Sequence, residues 1–341
     1  IPAIMEMPYN DIVRKFIDMY AGRLRNQVSF MLSACNFYMP IFEEALDAYG
    51  LPLELRYLPI IESALNPSAV SRAGASGLWQ FMIGTGKIYG LESNSLVDER
   101  RDPIKATWAA ARYLKEMYDI YGDWNLVIAA YNCGPGTINK AIRRANGETD
   151  YWKIYNYLPK ETRGYVPAFI AANYVMTYYC DHNICPMETN IPASTDTVQV
   201  NKNLHFEQIA DLCNVPLDQI KSLNPQYKKH MIPGDSKPYT LRLPIDAIST
   251  FIDKQDTIYA HRADELFRNR KTVAVKEITP STRKTTAAVA GKGKLTYYTI
   301  KSGDTLSTIA GKYGVTIKDI QRWNGMSNTK IAAGKRLKIY K

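Results

Sequence analysis

Residues 53–67 read LELRYLPIIESALNP: a mostly apolar run leads into Glu62, and Asn66 with Pro67 interrupts the chain a few residues later. The apolar spacing predicts a helix over Leu53–Ile61, which places Glu62 at its carboxyl end. There the helix dipole and the apolar neighbours both disfavour a carboxylate and raise its pKa. A carboxyl group that stays protonated near neutral pH can donate a proton to a leaving oxygen, so Glu62 is predicted to be a general acid.

The region around this stretch has a helical pattern from Asp11 to about Tyr179. Asp102 followed by Pro103 predicts the start of one helix in this region. The apolar residues of that helix recur every three or four positions, at Ile104, Trp108, Ala111, Leu114, Met117 and Tyr121. Short clusters of Gly and Pro separate the helices from one another. We therefore expect one mainly α domain over residues 1–187.

Three further segments of the helical region place polar and aromatic residues together: GLWQFM at 77–82, AYNCGPG at 130–136 and ETRGYVP at 161–167. Together with IESALNP at 61–67, they resemble the motifs of the goose-lysozyme-like lytic transglycosylases. The resemblance covers about residues 50–180. It implies a lysozyme-like catalytic domain that cuts the β-1,4 bond between N-acetylmuramic acid and N-acetylglucosamine in peptidoglycan.

The resemblance also implies roles for single residues. Glu62 falls at the position of the catalytic acid, which then acts as a base when the muramoyl 6-hydroxyl closes a 1,6-anhydro ring, and no cofactor takes part. The positions that match substrate contacts of the family are Ser71, Gln80, Met82, Tyr131, Asn132 and Tyr165. The neighbouring Trp79 and Phe81 fit either the core or the wall of a sugar-binding cleft.

Most glycosidases pair two carboxyl groups, yet the segments around Gln80 and Tyr131 carry no acid. A site with one carboxyl group fits the non-hydrolytic reaction of the family. Two alternatives remain: a muramidase that uses water, whose products have reducing ends, and a wall-binding scaffold without activity. The joint presence of Glu62, Gln80 and Tyr131 argues against the scaffold.

An internal repeat occupies the C-terminal part, where residues 206–234 align with 306–334 at a constant offset of 100. Each copy is predicted to form a strand–helix–helix–strand unit, so small α+β (βααβ) modules follow the helical domain. The second copy, over 295–341, resembles a LysM module, which implies binding of chains that contain N-acetylglucosamine. Its groove positions are Gly303, Asp304, Thr305, Leu306, Asn324, Gly325, Met326 and Ile331.

The first copy, over 190–245, is a degenerate LysM-like domain, because its core positions match but its groove residues do not. Where the second copy has Gly303, Asp304 and Thr305, the first has Asn203, Leu204 and His205. Two roles therefore remain open for it: sugar binding, and a structural adaptor packed on the catalytic domain.

The net charge of +10 comes from the C-terminal part, since residues 1–245 hold 24 basic and 25 acidic side chains and residues 246–341 hold 19 and 8. Residues 246–294 are predicted to form a helix followed by a flexible basic linker. A positive charge of this kind favours binding to any polyanion, but no segment matches a nucleic-acid-binding fold. The expected partner is therefore the peptidoglycan glycan strand and not nucleic acid. The longest uncharged run, 164–180, is too short and too polar to span a membrane.

The expected location is the periplasm or cell envelope, with the protein acting as a monomer and with an outer-membrane lipid anchor allowed for outside this sequence. The five cysteines form no CxxC pair and the four histidines are scattered, so no metal site is predicted. Cys180 and Cys185 are close enough in the chain to bridge in an oxidising compartment, and free thiols are the alternative.

Overall fold

The computed structural model describes residues 4–189, 191–192, 194–268, 295–301, 304, 306–313, 315–324, 326, 331 and 334–340. The chain divides into two units, Ile1–Thr279 and Pro280–Lys341. The first unit contains the helical domain and the first copy of the repeat, and the second unit contains the second copy.

The helical domain confirms the predicted mainly α fold. Asp102 caps one of its helices as expected, because its side chain accepts hydrogen bonds from the backbone N–H groups of Ile104 and Lys105, and Pro103 takes the first helical position. The helices are α1 Asp11–Ala21, α2 Arg25–Ala48, a 3₁₀ helix Leu53–Tyr57, α3 Leu58–Ser63, α4 Ile83–Ile88, a 3₁₀ helix Glu99–Arg101, α5 Pro103–Tyr121, α6 Trp124–Cys133, α7 Pro135–Arg144, α8 Tyr151–Ile154, a 3₁₀ helix Tyr155–Tyr157 and α9 Lys160–Thr177.

The helix expected over Leu53–Ile61 is two pieces in the structure. The 3₁₀ helix ends at Tyr57, and α3 begins at Leu58 and continues past Glu62 to Ser63. Pro59 explains the break, because it has no N–H to donate to a carbonyl of the preceding turn. Glu62 still lies in the last turn of a helix, as the sequence predicts.

Helices α2, α5, α6 and α9 enclose the core of the helical domain. The middle of α6, Leu126–Ala130, is fully buried. The buried face of α5 consists largely of alanines and Thr107, whose small side chains let neighbouring helices approach closely. Ile104 and Trp108, which began the apolar pattern predicted for α5, are each 37% exposed because that face excludes them.

The first copy of the repeat confirms the predicted strand–helix–helix–strand order and adds a short second sheet. Strand β1 pairs antiparallel with β4, with Thr195 opposite Pro244, and β2 pairs antiparallel with β3. Its elements are β1 Thr195–Val200, β2 Asn203–His205, α10 Phe206–Cys213, α11 Leu217–Leu223, a 3₁₀ helix Lys228–His230, β3 Met231–Pro233 and β4 Tyr239–Pro244.

Three helices follow β4: α12 Ile245–Asp253, α13 Gln255–Ala260 and α14 Ala263–Leu266. Phe251 and Ile258 are fully buried in the core of the first copy, so the helical part predicted after residue 245 packs as part of that copy and does not form a separate segment. The reason is the apolar face of α12 and α13, which packs against α10. We call residues 194–266 the first module. The predicted linker residues 269–294 lie outside the described residues.

The second copy forms the predicted βααβ order with β5 Leu295–Thr299, α15 Leu306–Tyr313, α16 Ile317–Asn324 and β6 Arg336–Tyr340. Strand β5 pairs antiparallel with β6, and Tyr298 lies opposite Leu337. Its core is small and apolar, and its buried members include Leu306, Ile309, Ile320, Leu337 and Ile339. We call this copy the second module.

Candidate active site

Glu62 lies where α3 ends and the chain turns back on itself. Ala64 and Leu65 both have left-handed backbone, with φ of 52° and 59°, so the helix cannot continue. The hydroxyl of Ser63 lies 3.0 Å from the carbonyl oxygen of Leu78, which ties the end of the helix to the GLWQFM segment. The IESALNP and GLWQFM segments are therefore joined directly.

The Glu62 carboxyl group is half-buried and accepts a hydrogen bond at Oε1 from the hydroxyl of Tyr165, in α9. Burial raises the pKa of Glu62 from its ordinary value of 4.5 to about 7. The Tyr165 hydrogen bond opposes this rise, and the negative charge of Glu161 adds to it. Because the pKa is close to 7, both the acid and the carboxylate are populated at neutral pH, which suits a group that must donate and then accept a proton.

Tyr131 joins the same site from α6. Its hydroxyl donates a hydrogen bond to the carbonyl oxygen of Trp79 at 2.7 Å. Burial, and to a smaller extent the charge of Glu62, raise the pKa of Tyr131 well above its ordinary value, so this phenol stays neutral. The ring packs 6.4 Å from that of Phe81 and 5.5 Å from that of Tyr113, which fixes its position.

The loop that carries Gln80, residues 69–81, is held together by its own hydrogen bonds, and we call it the Gln80 loop. Gln80 has a left-handed backbone, with φ of 47°, and its Nε2 donates to the Gly77 carbonyl at 2.8 Å. Ser71 is exposed, and its Oγ accepts a hydrogen bond from the Ala75 N–H at 3.0 Å. Two of the predicted substrate residues, Ser71 and Gln80, therefore lie on one preformed loop.

The apolar residues beside Gln80 divide between core and surface. Trp79 is fully buried and its Nε1 donates to the Thr107 hydroxyl at 2.9 Å. Phe81 is 3% exposed, so both aromatics are core residues rather than walls of a cleft. Met82, which precedes α4, is 46% exposed and is the apolar residue of this segment that a ligand can touch.

Asn132 connects the two helices that supply the tyrosines of the site. Its Oδ1 accepts a hydrogen bond from the Thr162 hydroxyl at 2.9 Å, which joins α6 to α9. This bond ties the helix of Tyr131 to the helix of Tyr165, whose hydroxyl contacts Glu62. Among the residues that the structure describes, no group of three or more His, Cys, Asp or Glu side chains is placed to hold a metal ion.

Glu161 is a residue near the site that was not predicted from the sequence. It is exposed in the first turn of α9, four residues before Tyr165, and its charge acts on Glu62. The spacing of four places both side chains on one face of the helix, which is the signal that could have identified it. Glu161 is thus a second carboxyl group whose charge reaches Glu62, and the structure shows no hydrogen bond between the two side chains.

The predicted groove residues of the second module are partly described. Gly303, Thr305 and Gly325 lie outside the described residues. Asp304 accepts hydrogen bonds from the Lys301 N–H and the Tyr298 hydroxyl, both at 2.8 Å. The Asp304 side chain thus closes the turn before α15.

The remaining groove positions also serve the fold of the second module. Leu306 is 2% exposed in the core, and Met326 and Ile331 pack against that core half-buried. The Asn324 side chain donates to the Lys338 carbonyl at 2.9 Å and accepts from the Lys338 N–H at 2.7 Å. These side chains therefore stabilise the fold of the second module, and their predicted contacts with sugar stay a prediction.

The chain matches three sequence families in order: the transglycosylase SLT domain over residues 39–154, the lytic transglycosylase MltD LysM-like domain over 194–260, and the LysM domain over 298–339. It is 31% identical over 339 residues to the membrane-bound lytic murein transglycosylase D of Escherichia coli (strain K12). The aligned region covers 98% of this chain and 70% of that protein. The chain belongs to the lytic murein transglycosylase D family. It is a peptidoglycan lytic transglycosylase with an SLT domain and LysM modules.

Other lytic transglycosylases match a smaller part of this family member. The soluble lytic murein transglycosylase of Escherichia coli (strain K12) is 33% identical over 124 residues, which is 35% of this chain and 19% of that protein. Among solved structures, the 70 kDa soluble lytic transglycosylase from Escherichia coli is similar at 29% identity, with a TM-score of 0.37 over 42% of this chain and 24% of that chain. Within the described part of the transglycosylase, no helix is both long enough and apolar enough to cross a membrane.

Proposed function

We propose that this lytic transglycosylase cleaves the β-1,4 bond between N-acetylmuramic acid and N-acetylglucosamine without water and leaves 1,6-anhydromuramic acid ends. Glu62 acts first as the acid and then as the base. The observation that carries this proposal is the half-buried Glu62 carboxyl group, whose pKa is raised to about 7 beside the hydroxyl of Tyr165. A single group with that pKa can serve both steps.

In the first step, protonated Glu62 donates its proton to the glycosidic oxygen while the bond from that oxygen to C1 of the muramoyl residue breaks. The bonding electron pair leaves with the oxygen, and the muramoyl N-acetyl oxygen stabilises the cation at C1. Tyr165 already donates to Oε1, so the other carboxyl oxygen is the one that carries the transferred proton. The same hydrogen bond stabilises the carboxylate that forms.

In the second step, the Glu62 carboxylate accepts the proton of the muramoyl 6-hydroxyl while O6 forms a bond to C1. The ring closes, Glu62 is protonated again and no water is consumed. One carboxyl group therefore completes the cycle, where a hydrolytic glycosidase uses two.

The substrate contacts follow from the side chains that remain accessible. We assign the exposed Ser71 hydroxyl and Gln80 to hydrogen bonds with sugar hydroxyl or acetamido groups, and the exposed Met82 to an apolar contact. Asn132 and the two tyrosines, Tyr131 and Tyr165, line the cleft around Glu62. The neutral phenols of these tyrosines can orient the acetamido group without adding charge to the site.

Glu62→Gln is expected to lower turnover of purified peptidoglycan by at least about a thousandfold, since general acid–base catalysis contributes roughly that much. Binding to the wall should be unchanged. The matched control is Glu44→Gln, an exposed glutamate of α2 outside the site, which should be fully active. Mass spectrometry of the parent digest should find products that lack one water relative to hydrolysis. A Glu62→Gln variant that still turns over would contradict the proposal.

A hydrolytic muramidase is the second candidate, and the charge of Glu161 near Glu62 is the observation that favours it. In that mechanism Glu161 would activate water, so Glu161→Gln would be inactive and the parent would release reducing ends. In the proposed mechanism Glu161→Gln keeps most of its activity and the anhydro products persist. The two variants and one product analysis therefore separate the two reactions.

We further propose that the second module binds glycan chains that contain N-acetylglucosamine, and that the enzyme acts as a monomer in the periplasm, held at the outer membrane by a lipid anchor outside this sequence. The LysM match supports the glycan binding, and the name of the membrane-bound relative supports a location at a membrane. Fractionation of cells that make the native protein tests the location. Recovery in the cytoplasm would contradict it.

A further inference from the structure

The first module contacts the helical domain along a short stretch that precedes α5. The Asp98 N–H donates to the Gln226 carbonyl at 2.9 Å, and the Lys228 N–H donates to the Leu96 carbonyl at 2.6 Å. Leu96 and Val97, although they belong to the helical domain, are buried in the apolar core of the first module. Backbone hydrogen bonds and a shared core therefore fix the position of Asp98 relative to the first module.

Asp98 is the centre of a buried charge cluster. It is 1% exposed, and Arg100, at 5%, forms two hydrogen bonds to it, from Nε to Oδ1 and from Nη2 to Oδ2, both 2.8 Å long. Lys228 of the first module places Nζ 3.7 Å from Oδ2 and donates to the Asn94 carbonyl at 2.8 Å. Burial alone would raise the pKa of Asp98, but Arg100 and Lys228 outweigh it and hold that pKa below its usual value. Removal of one partner of such a buried ion pair would leave the other charge unpaired and destabilise the cluster.

Arg100 carries the link onward to the active site. Its Nη1 donates to the carbonyl oxygens of Gly74 and Phe81, at 2.8 and 2.9 Å, and so joins the two ends of the inner part of the Gln80 loop. The neighbouring Arg101 donates from Nε to the Ser76 hydroxyl at 3.0 Å. Gln80 directly precedes Phe81, so the position of its backbone depends on Arg100.

The contact surface of the first module includes a position that matches the predicted groove of the second module. The offset of 100 places Asn224 and Gln226 at the positions of Asn324 and Met326. Asn224 has the same structural role as Asn324, since it donates to the Arg242 carbonyl and accepts from the Arg242 N–H, both at 2.8 Å. Gln226 is only 6% exposed, and its carbonyl accepts from the catalytic domain. The helical domain therefore contacts this position.

We propose that the first module positions the active site: its contact surface holds Asp98, Asp98 orients Arg100, and Arg100 sets the Gln80 loop for substrate binding. Lys228 and Arg100 are thus positioning residues. The inference rests on the proposed role of Gln80 as a substrate contact. Of the two roles left open for the first copy, it favours the structural adaptor over sugar binding.

The test compares Lys228→Met with Lys229→Met in the full chain, using a soluble glycan oligomer from peptidoglycan as substrate. Lys229 is the exposed neighbour and supplies the same change of charge away from Asp98. Lys228→Met is expected to raise KM about tenfold, because a partly buried hydrogen bond of a charged group and the placement of the Gln80 loop are lost. The pH profile of kcat should stay that of Glu62. Lys228→Arg should restore most of the loss, and Arg100→Lys should raise KM at least as much.

The split between KM and kcat distinguishes positioning from mere support of the fold, since partial unfolding lowers kcat at constant KM. Hydrogen exchange of peptides from residues 71–81 should accelerate in Lys228→Met and not in Lys229→Met. If Lys228→Met changed neither KM nor the hydrogen exchange of residues 71–81, the inference would be overturned. This would hold even if KM rose in Arg100→Lys, because Arg100 alone does not involve the first module. Glu62→Gln, measured alongside, keeps this outcome separate from failure of the proposed reaction.

Discussion

Glu62 acquires its chemistry from groups that are distant in the chain. The helix end and the apolar neighbours predicted a raised pKa, and the structure confirms the direction. The hydrogen bond that stabilises the carboxylate comes from Tyr165, 103 residues later. Glu161, on the same helix, adds repulsion. Burial favours the protonated form of Glu62, and the Tyr165 hydrogen bond favours the carboxylate. The group can therefore change between the two forms during one reaction cycle.

The raised pKa of Glu62 predicts a pH-dependent effect on stability. The folded pKa of about 7 exceeds the ordinary value of 4.5, so the proton on Glu62 stabilises the fold fully below pH 4.5, and this contribution is lost as the pH rises through 7. Glu62→Gln carries no charge at any pH. It should therefore be more stable than the parent by about 1–3 kcal/mol at about pH 8, and similar to it at about pH 4.

Urea unfolding of parent and Glu62→Gln at the two pH values measures this difference. The control Glu44→Gln, on the exposed surface of α2, should show no such dependence. Equal stabilities of the Glu62→Gln variant and the parent at the higher pH would mean that the Glu62 carboxylate is not desolvated by the fold.

At the scale of elements, the Gln80 loop and the stretch before α5 are packed backbone to backbone. Gly77 has a left-handed φ of 87°, and a Cβ atom at this position would lie 1.8 Å from the carbonyl oxygen of Arg100. Only glycine, which has no Cβ atom, allows the two backbones to approach this closely. The close approach is what brings the Arg100 guanidinium within reach of the loop carbonyls.

Gly77→Ala is expected to destabilise the protein by more than about 2 kcal/mol, because the strained φ adds to a clash that only a backbone shift can relieve. Gly74→Ala is the matched control in the same loop, with φ of 89° and open space around the position of a Cβ. It should cost only about 1 kcal/mol for the strained φ. Thermal or urea unfolding of both variants measures the difference, and equal losses would exclude the clash.

At the scale of the whole molecule, the two copies of one repeat have diverged in what they contact. The first module shares its core with Leu96 and Val97 of the helical domain, and helices α12 and α13 add Phe251 and Ile258 to that core. The second module has a core of its own within Pro280–Lys341. The proposed wall binding is therefore assigned to the second module, whose core among the described residues does not include residues of the helical domain.

Removal of residues 270–341 is expected to abolish most sedimentation with insoluble peptidoglycan and to leave turnover of a soluble glycan oligomer unchanged. A tethered wall-binding module raises the local substrate concentration only on an insoluble wall. Full-length Glu62→Gln is the control, since it should sediment like the parent. Unchanged sedimentation of the truncated chain would assign wall binding to the first unit.

The sequence alone determined the helical domain, the two βααβ copies and the candidate acid. Helical periodicity, the cap at Asp102 and the constant offset of the repeat all act between residues close in the chain, so they can be read without a structure. The same holds for Glu62, whose position at a helix end is local. For Trp79 and Phe81, the sequence showed two aromatic residues beside Gln80 but not whether they lie in the core or in the wall of a cleft.

Tertiary structure alone decided which polar and aromatic groups are removed from water. Asp98 and Arg100 belong to a charged run, DERRD, that suggests an exposed surface, yet both are buried because Lys228 and the Gln80 loop supply their partners. The cost or benefit of burying a charge depends on which groups surround it, and those groups come from distant parts of the chain. For that reason the pairing of Tyr165 with Glu62 and the contacts of the first module with the helical domain became evident only in the folded protein.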